Sequence, residues 1–238
     1  MMTIAQLEVA PRYCGPPDSG NGGYVAGLLA GFGCGPMDVR LRAPVPLGRV
    51  LEVEAEGEGF GLSDRGTRIA TALPAVVDFA VPPAVPFAAA HAAATGFKGL
   101  RNHAAPRCFV CGTARAAGDG LRIFAGALPQ PALAQVAAPW VPDSALAGTR
   151  GRVRPEFLWA ALDCPGYYAV TPDARMMLLG RFACRIDGEI AVGEACVVAG
   201  WRVGGVGRRH QAATVLYGGD GAVRARALAT WVELKAAA

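Results

Sequence analysis

The sequence predicts an α+β fold in which antiparallel strands surround two buried helices. Residues 24–32 and 157–162 are apolar on nearly all sides, which is the composition of a helix enclosed by other structure. Each stretch is followed by runs in which apolar residues alternate or continue as they do in strands. The order of strand, buried helix and strand meander therefore occurs twice along the chain.

In the first half, residues 4–9 form a strand candidate ahead of the turn-rich segment CGPPDSGNGG. The buried helix predicted at residues 24–32 comes next, and Gly33, Gly35 and Pro36 are typical of a chain that leaves a helix. Further strands are predicted, with intervening turns, at residues 38–43, 49–58 and 67–77.

The second buried helix carries one acid, Asp163. Pro155 suits its first helical position, because the amide that proline lacks has no partner there. Pro165 and Gly166 are predicted to end the helix two residues after Asp163. A carboxylate at the end of a wholly apolar helix lies in an apolar setting, where it is either costly or useful.

Residues 81–106 are rich in proline and alanine, and we expect a linker there with one short helix at residues 88–94. This divides the chain into an N-terminal half, residues 1–80, and a C-terminal half, residues 107–238. In the second half, strands are predicted at residues 120–125, 132–138, 178–186, 194–203, 210–217 and 222–234.

Composition narrows the range of functions. The chain has 238 residues, 53% of them hydrophobic and 18% charged, with a net charge of +4. Its arginines are scattered, which argues against a nucleic-acid partner but suits a small phosphorylated ligand. The sequence has neither a membrane-spanning apolar run nor a leader-like N-terminus, so we expect a cytoplasmic protein without a membrane partner. Seven irregularly spaced cysteines favour reduced, mostly buried thiols.

The two halves also correspond in detail, as an internal repeat would. Gly22-Gly23 before the first helix aligns with Pro155-Glu156 before the second. In this register Asp163 falls opposite Ala30, since each lies seven residues after the aligned position. The acid therefore occurs only in the second half, and the glycine pair occurs only in the first.

These features resemble the hotdog thioesterases of the phenylacetyl-CoA and 4-hydroxybenzoyl-CoA branches. Asn21-Gly22-Gly23 stands where that family has His-Gly-Gly, and Asp163 has the offset of its helix carboxylate. The Cys108-x-x-Cys111-Gly segment, with Gly-Leu further on, and the pair Gly207-Arg208 are also similar to motifs of such proteins. The resemblance implies a double hotdog: two antiparallel sheets, each wrapped around a long central helix, packed as a pseudo-dimer in one chain.

The resemblance implies an acyl-CoA thioesterase that needs no cofactor. Asp163 would act as a general base on water or as a nucleophile, and the residues leave this choice open. The amides of Gly22, Gly23 and Tyr24 at a helix start would form the oxyanion hole, because unsatisfied N–H groups and the helix dipole favour negative charge there. Asn21 would orient the carbonyl or cap the helix.

Substrate contacts are expected around the acid and at one basic cluster. Arg208 and Arg209 suit the phosphates of coenzyme A, although such a cluster is more often a solvated turn. Trp159, Tyr167 and the neighbouring Tyr168 are core candidates that also suit an acyl pocket. Association into a homodimer or a higher homo-oligomer is compatible with the resemblance.

Several residues have a structural interpretation as well as a functional one. Asp163 can simply cap or turn the helix exit, and Gly22-Gly23 can serve only helix–sheet packing. Glu156 is expected to be a helix-dipole partner. Cys108 and Cys111 are interpreted as a turn rather than as metal ligands, and Cys164 as a buried thiol, so no metal is expected.

Two other functions remain open. A protein with the same tunnel and no turnover would be an acyl-CoA-binding module. A hotdog dehydratase or hydratase is the third possibility, and it requires a catalytic histidine near a helix start. The three histidines, His91, His103 and His210, lie away from both helix starts in the sequence, which counts against it.

Overall fold

The computed structural model describes residues 2–129, 134–171 and 176–234. Within these residues, eleven strands form one antiparallel sheet that four α-helices accompany. The strands are β1 Thr3–Glu8, β2 Met37–Leu41, β3 Val50–Glu56, β4 Gly59–Asp64, β5 Thr67–Pro74, β6 Gly126–Ala127, β7 Gln135–Trp140, β8 Met177–Ile186, β9 Cys196–Val206, β10 Arg209–Tyr217 and β11 Val223–Glu233; the helices are α1 Gly22–Ala30, α2 Phe87–Ala94, α3 Pro155–Ala161 and α4 Asp163–Val170.

The sheet is continuous, with the strand order β1-β3-β4-β5-β2-β8-β11-β10-β9-β7-β6. The sequence predicts two separate sheets, and this is corrected: β2 and β8 pair antiparallel from Met37 opposite Cys184 to Arg40 opposite Arg181. Pairing satisfies the backbone groups that each half-sheet would otherwise leave open along an edge strand. An ion pair between Arg181 and Asp38, 2.8 Å from nitrogen to oxygen, crosses the same junction.

Neither central helix is long. Helix α1 has nine residues and begins at Gly22, two residues before the predicted start. The predicted second helix is split at Leu162 into α3 and α4, and α4 continues through Pro165 and Gly166 to Val170. The prediction that Pro165 ends the helix is wrong because Pro165 is the third residue of α4, where the missing amide has no intrahelical partner to lose.

Helices α1 and α3 pack against each other through glycines. A Cβ atom at Gly23 would lie 2.6 Å from the Cβ of Asp163, and one at Gly27 would lie 2.7 Å from the Cα of Glu156. Only hydrogen fits at both positions, so the two backbones approach closely. One hydrophobic core continues from α1 and β2–β5 of the first half into α3, α4 and β8–β11 of the second.

Most predicted strands are present, but the prediction and the structure differ in several places. Strand β4 falls where the sequence suggested a turn within a longer meander. Residues 120–125 form no strand, although the amides of Leu121 and Ile123 donate to the carbonyls of Phe109 and Val110. Of the strand predicted at residues 132–138, positions 132 and 133 lie outside the described residues, and β7 begins at Gln135.

The alanine-rich segment between the halves is attached to the second half. Helix α2 confirms the predicted short helix, and its buried residues Ala90 and Ala93 belong to a core cluster with β7 and β9. The division into halves at residues 80 and 107 stays a prediction. In the part of the chain that the structure describes, no helix has the length and apolar character to cross a membrane.

Candidate active site

The carboxyl group of Asp163 lies where the two halves meet. Its Oδ2 atom accepts hydrogen bonds from Asn21 Nδ2 at 2.7 Å and from the Gly23 amide at 3.0 Å. Its Oδ1 atom is buried and has no hydrogen-bond partner among the described residues. One carboxyl oxygen is therefore held in place by the first half, whereas the other is enclosed without a hydrogen-bond partner among the described residues.

Local helix chemistry places these partners. Asn21 is the N-cap of α1, and its Oδ1 accepts a hydrogen bond from the Tyr24 amide at 2.9 Å. The side-chain nitrogen of the same amide group is then directed at Asp163. Asn21 thus caps the helix, which is one of the two roles considered from the sequence, and it also contacts the acid, which was not predicted. Orientation of a substrate carbonyl by Asn21 stays a prediction.

Burial dominates the electrostatics of Asp163. The side chain is 2% exposed, and loss of solvation raises its pKa from 3.8 to about 7. The Gly23 amide and Asn21 act in the opposite direction by hydrogen-bonding the carboxylate, whereas the nearby Cys108 raises the pKa further. Both protonation states of this group are therefore populated near neutral pH.

The helix-start amides are less available than the sequence suggests. The Gly23 amide is bonded to Asp163, and the Tyr24 amide is bonded to Asn21. The Gly22 amide has no hydrogen-bond partner in the described part of the chain. Of the three amides expected to form an oxyanion hole, only that of Gly22 is free to bind a ligand in this conformation.

A cavity of about 710 Å³ adjoins the acid and draws on both halves. Leu41 on β2 and Leu179 on β8 contribute apolar walls. The predicted site residues that line the cavity are Asn21, Gly22, Asp163, Tyr167, Tyr168 and Arg208. Gly23 does not line it, because it is packed between Asp163 and the carbonyl of Trp159.

Three predicted contact residues lie elsewhere. Tyr24 is buried and stacks on Tyr13 with ring centroids 4.2 Å apart, and its burial raises the pKa of its hydroxyl. Trp159 packs on Phe182 in the core. Arg209 borders a separate small depression and does not line the main cavity, whereas the neighbouring Arg208 and Val232 line both. Their placement follows from strand and helix register, which single-sequence patterns do not fix.

The structure also brings residues to the cavity that the sequence did not assign to a site. His103 lines it, but its Nδ1 accepts from the Ala105 amide at 3.0 Å and its Nε2 lies 2.9 Å from the carbonyl oxygen of Cys111. Both ring nitrogens of His103 are thus engaged by the backbone, which leaves the dehydratase hypothesis without a free catalytic imidazole in this cavity.

Glu156 does not line the cavity. Its carboxylate pairs with Arg154 at 3.3 Å at the start of α3.

Three thiols, those of Cys108, Cys111 and Cys164, line the cavity beside Asp163. Hydrogen bonds from the other two thiols lower the pKa of Cys108. The spacing of Cys108 and Cys111 is visible in the sequence, but Cys164 is 56 residues from Cys108 and joins the pair only through the fold, so the cluster of three was not predicted.

Comparison with solved structures identifies the fold. A conserved protein of unknown function with a hotdog fold from Alicyclobacillus acidocaldarius is similar with a TM-score of 0.52 and 12% identity, over 98% of this chain and 93% of the other. The chain therefore has the hotdog fold that the resemblance implied.

Two further solved structures match over nearly the full length. A tesB protein of Mycobacterium avium subspecies paratuberculosis has a TM-score of 0.63 and 10% identity, over 97% of this chain and 92% of the other. A Novosphingobium aromaticivorans protein assigned as a thioesterase has a TM-score of 0.60 and 14% identity, over 97% and 95%. The sequence matches no protein-family model and no curated protein.

Proposed function

We propose that this protein is an acyl-CoA thioesterase of double-hotdog architecture. The observation that carries the proposal is the Asp163 carboxyl group, which Asn21 of the other half holds at 2.7 Å beside a cavity lined by both halves. A buried acid with one anchored oxygen and one oxygen that lacks a hydrogen-bond partner suits activation of a nucleophile. A solved structure named as a thioesterase, that of the Novosphingobium aromaticivorans protein, shares the fold, which supports the same reaction class.

In the proposed reaction, Oδ1 of Asp163 accepts a proton from water as the water oxygen attacks the thioester carbonyl. The negative charge that develops on the carbonyl oxygen is stabilised by the amide of Gly22 and by the positive end of α1. The tetrahedral intermediate collapses with cleavage of the carbon–sulfur bond, and Asp163 returns the proton to the thiolate. The products are a carboxylic acid and free coenzyme A.

A nucleophilic route uses the same oxygen. Oδ1 then attacks the carbonyl carbon, expels the thiolate and forms a mixed anhydride that water hydrolyses in a second step. Both routes require Oδ2 to be held and Oδ1 to be open, so the same two contacts with Asn21 and Gly23 serve either one. The choice between base and nucleophile remains open.

The remaining contacts assign parts of the substrate. Apolar walls such as Leu41, Leu179 and Tyr167 suit the acyl chain, since burial of apolar surface stabilises its binding. Arg208, exposed at the cavity and donating to the carbonyl of Glu233, suits a phosphate of coenzyme A. Arg209 has no part in this arrangement, because it does not line the cavity.

One active site is expected for each chain. If the halves are repeats, the site related to Asp163 and Gly23 pairs Ala30 with Glu156. Ala30 supplies no acid, and Glu156 is engaged with Arg154. The glycine start and the acid have therefore each been retained in one half only.

The decisive experiment compares thiol release from short, aryl and long acyl-CoAs by the wild type and by Asp163→Asn. The amide oxygen of the variant can still accept from Asn21 and Gly23, so we expect folding to persist while turnover falls about 100-fold or more. Asp78→Asn, which removes an exposed carboxylate, is the matched control. Equal rates for Asp163→Asn and the wild type would refute hydrolysis at this site.

A non-catalytic acyl-CoA-binding role is the second candidate, and one observation favours it. The amide of Gly23, which should help to bind an oxyanion, is occupied by Asp163. A raised melting temperature with acyl-CoA, without thiol release from any member of the panel, would support this alternative.

A further inference from the structure

The sulfur atoms of Cys108, Cys111 and Cys164 form a compact group. All three side chains are buried, and their Sγ atoms lie within 4.8 Å of one another. The Sγ atoms of Cys108 and Cys164 are 3.7 Å apart. Two thiolates that share a tetrahedral zinc ion at about 2.3 Å each lie about 3.8 Å from one another, so this pair is already spaced as zinc ligands.

The backbone around Cys108 has the form of a metal-binding turn. The Gly112 amide donates to the Cys108 carbonyl at 2.9 Å, and the backbone amides of Cys111 and Val110 help to lower the pKa of the Cys108 thiol. A Cβ at Gly112 would lie 2.4 Å from that carbonyl oxygen, so the turn requires glycine there. Backbone N–H groups directed at a sulfur favour its thiolate form, which is the form that binds metal.

The rest of the fold holds this turn against the third thiol. The amide of Phe109 donates to the carbonyl of Cys14 at 2.7 Å, and the Ile123 amide donates to that of Val110 at 2.9 Å. Cys164 is the second residue of α4 and projects to the same point. Asn21 Nδ2 lies 3.9 Å from the Cys108 sulfur, which places an N–H donor beside the ligand group.

From this arrangement we propose that Cys108, Cys111 and Cys164 bind one zinc ion, or a divalent cation of similar softness, with the fourth coordination position open to the cavity. All three cysteines line the cavity. Among the described residues, no other histidine, cysteine or acidic side chain completes a group of four with them. Zinc sites that bind molecules from solution have three protein ligands and one exchangeable ligand.

The fourth ligand is expected to be water or a thiolate from solution. His103 is not available for this position, because both of its ring nitrogens are engaged by backbone groups. A soft cation prefers sulfur, so a small thiol that enters the cavity can replace the water. This inference differs from the expectation from sequence that Cys108 and Cys111 form only a turn, and it stands independently of the proposed hydrolysis.

Cobalt substitution tests the site without any substrate. The full chain is reduced, freed of metal with a chelator and titrated with Co²⁺ alone under nitrogen, and its thiolate-to-cobalt absorption is recorded. We expect saturation at one Co²⁺ per chain and loss of the band when Zn²⁺ is added. Absence of a thiolate-to-cobalt band in the reduced wild type would overturn the proposal, whatever the variants do.

Variants then assign the ligands. Cys108→Ser and Cys164→Ser should weaken Co²⁺ binding at least about 100-fold, since each removes one of three thiolates. Cys34→Ser, at an exposed position, and Cys184→Ser, at a buried position away from the cavity, are the matched controls and should bind as the wild type does. An unchanged band in both cavity variants, each shown by circular dichroism to be folded, would contradict the assignment.

Discussion

Asn21 carries two contacts that a single substitution can separate. Its oxygen caps α1 through the Tyr24 amide, and its nitrogen donates to Asp163. Serine is an equivalent N-cap residue, but it is too short to replace the second contact. The residue at this position therefore couples the stability of a helix to the orientation of an acid.

The first prediction follows from that coupling. Asn21→Ser should leave the free energy of unfolding within about 1 kcal/mol of the wild type and still lower kcat for thioester hydrolysis, because the cap persists while Asp163 loses an anchor. Asn21→Ala should lower both, with about 1 kcal/mol lost from the cap alone. Urea unfolding and steady-state thiol release measure the two effects, and a parallel loss in both variants would argue against separate roles.

At the scale of the residue, the sequence predicted that Asn21-Gly22-Gly23 and Asp163 lie together, but it did not predict the thiols beside them. The offset of Asp163 and the Asn21-Gly22-Gly23 start were sufficient to predict a shared site through the resemblance. The thiol cluster was not predictable, because nothing in the sequence positions Cys164 against Cys108. Tyr24 and Trp159 were assigned to the cavity although they face the core, since aromatic composition does not reveal which side of a helix is enclosed.

At the scale of the element, the most extensive contact between two helices of the described chain is that of α1 with α3. Gly23 and Gly27 lie one helical turn apart on α1 and face the residues of α3 and the start of α4. The distance between the helices is what brings the Gly23 amide to 3.0 Å from Asp163. Both the packing of α1 on α3 and the position of the Gly23 amide beside Asp163 therefore depend on the lack of side chains at Gly23 and Gly27.

Substitution of Gly23 by alanine, which adds one methyl group, tests the contact between α1 and α3. Gly23→Ala places a Cβ 2.6 Å from the Cβ of Asp163 and 2.9 Å from the Trp159 carbonyl oxygen, so we expect a loss of about 1–3 kcal/mol in stability and reduced turnover. Gly31→Ala, at the exposed C-terminal cap of the same helix with a φ of −63°, should change stability by less than about 0.5 kcal/mol. Similar losses for the two variants would show that helix propensity, rather than interhelical contact, governs position 23.

The elements themselves were predictable where periodicity is strong. Most of the strands and the start of α3 at Pro155 were predicted to within a few residues. The position of the break at Leu162 was not predicted, although it has a local cause. Pro165 has no amide hydrogen to donate to the carbonyl of Ala161, and its ring clashes with that carbonyl, so α3 ends at Ala161 and the chain continues as α4. The joining of the two half-sheets through β2 and β8 is a long-range pairing, and no local pattern encodes it.

At the scale of the whole molecule, the two halves share one sheet and one principal core. All four tryptophans, Trp140, Trp159, Trp201 and Trp231, lie in residues 107–238. Tryptophan fluorescence therefore follows the second half and, through Trp159, its contact with α1, whereas far-ultraviolet circular dichroism follows both halves. The distribution of these side chains offers a direct test of cooperativity.

We expect the two signals to coincide during urea unfolding. A continuous core and the β2–β8 ladder should make the halves unfold together, with one midpoint and one slope for both probes. A fluorescence transition separated from the circular dichroism transition would indicate that one half unfolds first. A Trp159→Phe variant identifies whether the fluorescence change originates at the contact between the halves.

Asn21 and Asp163 belong to the same polypeptide, and this has a consequence for how the protein behaves at low concentration. When two separate subunits each contribute part of a site, the fraction of complete sites falls as the solution is diluted towards the dissociation constant. Here one polypeptide contributes both residues, so their encounter is intramolecular and its equilibrium is independent of molarity. Specific activity should then remain constant from micromolar to picomolar protein, and a few copies per cell would each carry a complete site.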